Sequence, residues 1–108
     1  MLIHEMTMTE YAEKRTALST AILPLGSLEE HGPHLPLGLD AMHAYALAQA
    51  TAAVRPCLVA PPLFYGLCRS SAQHPGTVGI SGDSLRAMVH DIGVGLWRQG
   101  IHCLCLLT

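Results

Sequence analysis

The 108-residue sequence predicts an α/β fold with a parallel sheet, and three features carry the prediction. Segments of helical periodicity alternate with short apolar runs in the order helix, strand, helix, strand, helix, strand. The apolar runs lack polar alternation, as strands covered on both faces do. Capping residues, prolines and glycines punctuate the joins between them. Such alternation brings right-handed crossovers with helices on the faces of the sheet. The length fits one domain over residues 1–108.

The elements follow in order. Thr7-Met8-Thr9-Glu10 reads as a capping box, with a helix to about Lys14. Ala17 to Leu25 is an apolar run that stops at Gly26 and reads as a buried strand. A loop rich in proline and glycine follows. Asp40 then opens an alanine-rich helix as its acidic N-cap, and Arg55-Pro56 ends it. Cys57 to Phe64 reads as a second strand, weakened by Pro61 and Pro62. His74-Pro75-Gly76-Thr77 marks a turn within the loop over 65–81. Ser81 or Asp83 caps a helix to about Gln99, with Leu85, Met88, Val89, Ile92 and Leu96 on one face and Gly100 at its end. Ile101 to Leu107 is the third strand.

Composition narrows the function. Half the residues are hydrophobic and only 13% are charged, which supplies a core and argues against disorder. A net charge of -2 leaves no electrostatic footprint for nucleic acid. No apolar run reaches the ~18 residues of a membrane span, and the N-terminus lacks the pattern of a secretory signal. Cys57, Cys68, Cys103 and Cys105 form neither a CxxC pair nor a zinc-finger set. They read as buried, reduced thiols of a cytoplasmic protein.

The ionisable side chains gather in one loop, LPLGSLEEHGPHLPLGLD, from Leu23 to Asp40. In α/β sheets ligands bind beyond the C-terminal ends of the strands, and this loop leaves such an end. Glu29 and His31, two apart, share one side of an extended segment. Asp40 returns at the next helix. Two carboxylates and an imidazole suit a divalent metal, or a pair of metals sharing a carboxylate. The spacing alone leaves open a solvated loop whose histidine serves a turn.

The motif LPLGS-x-E-x-HGPHLPLG-x-D, with PPLFYG at 61–66, HPGT at 74–77 and RQGI at 98–101, resembles the creatininase family (creatinine amidohydrolases and relatives). The resemblance implies a three-layer α/β/α sandwich with a mostly parallel sheet and a two-metal hydrolase site. It implies an assembly that is often hexameric. Glu29 and His31 would bind one metal each and Asp40 would bridge both, with Zn or Mn as the ions and Fe as a third choice. His34 matches a motif histidine that shapes the loop, and the turn at 75–77 matches one near the substrate pocket. The implied reaction is hydrolysis of a C–N bond in a cyclic amide or related small molecule, by a metal-bound hydroxide. No nucleic acid or membrane partner is implied.

The sequence departs from the family pattern in three places. Glu30 stands where many members carry Gln. Within LCRSSAQH, Ser70 and Ser71 occupy the place of a Glu-His pair, and His74 replaces a Phe. Arg69 is a candidate for holding an anionic substrate group or for a surface ion pair. His74 is a candidate pocket acid or base, or a turn histidine. Members of the family continue after the third strand with an Asn-Gly-His-Gly-Gly-Asn-like loop whose histidine is a ligand. This sequence therefore reads as the N-terminal portion of the domain, apparently truncated after its third strand. The alternative to an enzyme is a non-catalytic fragment or subunit that contributes half a site.

Overall fold

β1 (Thr20–Pro24) is the centre of the structure, a computed structural model that describes residues 1–108. It pairs in parallel with β2 (Leu58–Val59) on one side and β3 (Cys103–Leu107) on the other, giving the order β2-β1-β3. The predicted α/β class with a parallel sheet is therefore observed. Successive β1 residues serve opposite faces, as the pleat requires. Ile22 packs with Val59, Cys57 and Ala48 of α2 (Leu39–Val54). Ala21 packs with Leu58 and Ile101, and this cluster is lined by Tyr11 of α1 (Met8–Lys14) and Leu96 of α3 (Gly82–Arg98). α2 therefore lies on one face, with α1 and α3 on the other. No helix is long and apolar enough to cross a membrane.

Local chemistry explains the boundaries. The capping box forms as predicted, with the Glu10 amide donating to Thr7 Oγ1 and the Thr7 amide to Glu10 Oε2. Ser81 caps α3 by accepting from the Ser84 amide at 3.1 Å. Gly100 ends it at φ +95°, where a side chain would be strained. β1 is shorter than the apolar run because residues 15–17 turn out of α1. β2 ends early because Pro61 and Pro62 have no N–H to give a ladder. Pairing resumes at Leu63, whose amide donates to the Pro24 carbonyl.

Two expectations need correction. Asp40 does not cap α2. The helix starts one residue earlier behind Gly38, without a side-chain cap, and the Asp40 carboxylate is engaged elsewhere. Nor are all four thiols buried, because only Cys57 and Cys68 are, while Cys103 and Cys105 are exposed. The reason is helix cover: α2 packs over β1 and β2, whereas β3, on the far side of β1, has no helix packed closely over it. α3 likewise buries no residue fully and leaves Met88 and Trp97 exposed.

This difference is measurable. Burial raises the pKa of both Cys57 and Cys68, and the nearby Glu29 charge raises Cys68 further. The thiolate is the reactive form. Mild alkylation of the native chain is expected to label Cys103 and Cys105 first, read by peptide mass spectrometry. Equal labelling of all four would contradict the packing described.

Candidate metal centre

The loop beyond β1 is built from several backbone anchors. The Gly26 amide donates to Leu63 O, and the Glu29 amide donates to Leu37 O at 2.9 Å, closing the loop on itself. A second segment clamps it from outside. The Val78 amide donates to Leu28 O at 2.9 Å, and the Glu30 amide donates to Thr77 Oγ1 at 3.0 Å. Gly76, at φ +83°, makes the turn that brings this segment in, and a Cβ there would strike Leu37. Gly26 is the closest approach of all. A Cβ built on it would lie 2.1 Å from the Ala41 amide nitrogen, so its lack of a side chain lets the start of α2 close on the end of β1.

These anchors bring His31 and Asp40 together. His31 Nε2 lies 3.0 Å from Asp40 Oδ1, and His31 Nδ1 lies 2.9 Å from the Glu29 carbonyl oxygen. Both ring nitrogens therefore face acceptors. The Glu29 carbonyl is the largest cause of a raised His31 pKa, burial opposes it, and the Asp40 and Glu29 carboxylates add to the rise. A carbonyl acceptor on Nδ1 also fixes the ring so that Nε2 points to the carboxylate, as in histidines that ligate through Nε2.

Glu29 is linked to this pair through hydroxyls. Ser27 Oγ lies 2.5 Å from Asp40 Oδ2 and 3.1 Å from Glu29 Oε2. Ser71 Oγ donates to Glu29 Oε1. Each of the four carboxylate oxygens thus has one partner. The three predicted ligands lie in one neighbourhood, but no three His, Cys, Asp or Glu side chains close around a single point.

The donor chemistry fits a divalent ion. Two donors bound to one tetrahedral zinc at about 2.0–2.2 Å stand roughly 3.4 Å apart, and His31 Nε2 and Asp40 Oδ1, at 3.0 Å, need only a small separation to reach it. Glu29 offers its oxygens beside the other oxygen of Asp40.

Arg69 and His74 are both exposed, and neither lines the neighbouring cavity. The His74 amide donates to Ser71 O at 2.9 Å, within the turn. The cavity, of about 530 Å³, opens beside Ser27 and Asp40 and is walled by Leu47, Leu67 and Leu107. His43 also lines it. The spacing Asp40-x-x-His43, which puts both on one helix face, was the signal available for it in the sequence. Ser27 and Ser71 also went unrecognised as partners of the carboxylates. Ser71 lies 42 residues from Glu29, and no local spacing announces that contact.

This is an α/β scaffold with a parallel sheet and a nitrogen-and-oxygen donor set at the C-terminal end of its central strand. Residues 4–108 match the family model described as creatininase, creatinine amidohydrolase, and the chain belongs to that family. It is 31% identical to the 3-dehydro-scyllo-inosose hydrolase of Thermotoga maritima, over 95% of this chain and 33% of that enzyme. It is 32% identical to the creatinine amidohydrolase of Pseudomonas putida, over the whole of this chain and 44% of that enzyme. The crystal structure of a creatininase superposes with a TM-score of 0.93 at 32% identity, over 97% of this chain and 43% of that one. Solved creatininases include a manganese form and a zinc–zinc form. The chain spans less than half the length of these relatives.

Proposed function

We propose that this chain supplies the first part of a two-metal amidohydrolase site. In this reading His31 and Glu29 each ligate one divalent ion and Asp40 bridges them. The observation that carries it is the 3.0 Å approach of His31 Nε2 to Asp40 Oδ1, with Nδ1 held by the Glu29 carbonyl. The zinc and manganese forms of the solved creatininases support zinc or manganese as the ions. When bound, the ions supply an activated water near neutral pH and polarise a carbonyl. The chain's own residues hold and orient. Asp40 fixes the spacing of the two positions, His31 keeps its lone pair aimed, and Ser27 donates to Asp40 from between the two carboxylates. The apolar walls of the adjoining cavity exclude bulk water from a small cyclic substrate. Arg69 and His74, which stand outside the cavity lining, are proposed for an anionic substrate group and for proton transfer.

Two ions need about four to six donors each, and three side chains do not meet that number. Further donors, from additional sequence or from another copy in a homo-oligomer, are part of the proposal. A cytoplasmic location is proposed with it. The test is zinc and manganese titration of the 108-residue chain, then metal-dependent turnover by the chain joined to the C-terminal half of a relative. The substrate panel includes creatinine, other cyclic amides and 3-dehydro-scyllo-inosose. Metal binding followed by turnover of a cyclic amide is the expected result. Binding without turnover of any of them would favour the non-catalytic reading.

A further inference from the structure

We infer that Ser71 is a positioning residue for the metal centre, holding the Glu29 carboxylate in the orientation in which it can ligate. The inference rests on the metal reading above and assigns a role to a side chain outside the ligand motif.

Ser71 is 5% exposed, and its hydroxyl donates to Glu29 Oε1. The opposite oxygen, Oε2, lies 3.1 Å from Ser27 Oγ, itself 7% exposed. Ser27 has one hydroxyl hydrogen and two carboxylate neighbours, with Asp40 Oδ2 the nearer at 2.5 Å. That hydrogen goes to the nearer Asp40, so the Ser71 hydroxyl is the strong donor left to Glu29, with the weaker Cys68 thiol beside it. A carboxylate oxygen carries two lone pairs, and a single serine donor occupies only one of them. Ser71 can therefore fix the carboxylate and leave a lone pair on the same oxygen for a metal.

The backbone makes this contact dependable. The Ser71 carbonyl accepts from the His74 amide, and three residues later the Thr77 hydroxyl and the Val78 amide fasten to Glu30 and Leu28. Ser71 thus reaches Glu29 from a segment tied to both chain neighbours of Glu29. A glutamate side chain loses rotamer freedom when it is fixed. Holding it before the metal arrives removes that cost from binding, and supporting partners of ligands are typically worth 10–100-fold in affinity.

The experiment compares Zn2+ affinity by calorimetry in the unsubstituted chain, Ser71→Ala, Ser71→Thr and Ser70→Ala. Ser70 is its exposed neighbour. Ser71→Ala is expected to bind Zn2+ about tenfold to a hundredfold more weakly. The visible spectrum of its Co2+ complex should change, since that spectrum reports ligand geometry. Ser71→Thr, which keeps the hydroxyl, should recover affinity, and Ser70→Ala should match the parent. Equal affinity and spectrum in Ser71→Ala and the parent would overturn the inference while leaving the metal reading intact. An equal loss in Ser70→Ala would also overturn it. Absence of Zn2+ binding in the unsubstituted chain would instead overturn the metal reading, and this inference with it.

Discussion

Asp40→Asn is expected to weaken zinc binding by more than about 100-fold, beyond the range for a lost supporting partner. The carboxylate serves His31 through Oδ1 and Ser27 through Oδ2. An amide has one oxygen for these two duties. With its oxygen toward Ser27, its NH2 donates to His31 Nε2 and occupies the lone pair meant for the metal. With its oxygen toward His31, the NH2 meets the Ser27 hydroxyl, which rotates to accept. In both cases the negative charge that the proposed metals share is gone. The fold should tolerate the change, because Asn keeps the shape and both polar contacts and Asp40 is 41% exposed. The readouts are calorimetric zinc affinity and the thermal midpoint, with affinity falling and the midpoint nearly unmoved. Undiminished affinity in Asp40→Asn would place the metal away from this loop.

Gly26→Ala is expected to be the most damaging single methyl in the chain. Its Cβ would meet Ala41 N at 2.1 Å, Ala41 Cα at 2.4 Å and Ala41 Cβ at 2.7 Å. None of these is the flexible end of a side chain, so relief requires moving α2 or the end of β1. Overpacking of this kind costs about 1–3 kcal/mol and sometimes more, against a total of roughly 5–15 kcal/mol for a domain. Ala41 follows Asp40 directly, so the same displacement pulls Asp40 from Ser27 and His31. Denaturant unfolding should show a loss of about 3 kcal/mol, with weakened zinc binding. A variant as stable as the parent would mean that the helix and strand are not held at the described distance.

The order of elements was legible because each carries a local signal. Thr7 with Glu10, Ser81 before α3, and Gly100 after it mark ends through backbone hydrogen bonding within a few residues. Glu29, His31 and Asp40 were legible as a set through their spacing and the likeness of the surrounding motif to the family. What escaped depends on three-dimensional closure. Asp40 reads as a cap by its position, yet tertiary partners took its carboxylate. Ser71 stood out only as a departure from the family pattern, and its contact with Glu29 was hidden because the two lie in distant segments. The exposure of Cys103 and Cys105 follows from the place of β3 beyond the cover that α2 gives β1 and β2. Hydropathy reports how apolar a strand is, not whether a helix covers it.

The fastening of residues 77–78 to residues 28–30 makes two loops one mechanical unit. One loop carries the proposed ligands, and the other leads back to His74 and Ser71. A substitution that reshapes the outer loop for a different substrate therefore also shifts Glu29. Substrate preference and metal affinity would then evolve together, and mutations that alter one would need compensation in the other. Double substitutions across the two loops should accordingly be non-additive, as expected for neighbours sharing hydrogen-bond partners.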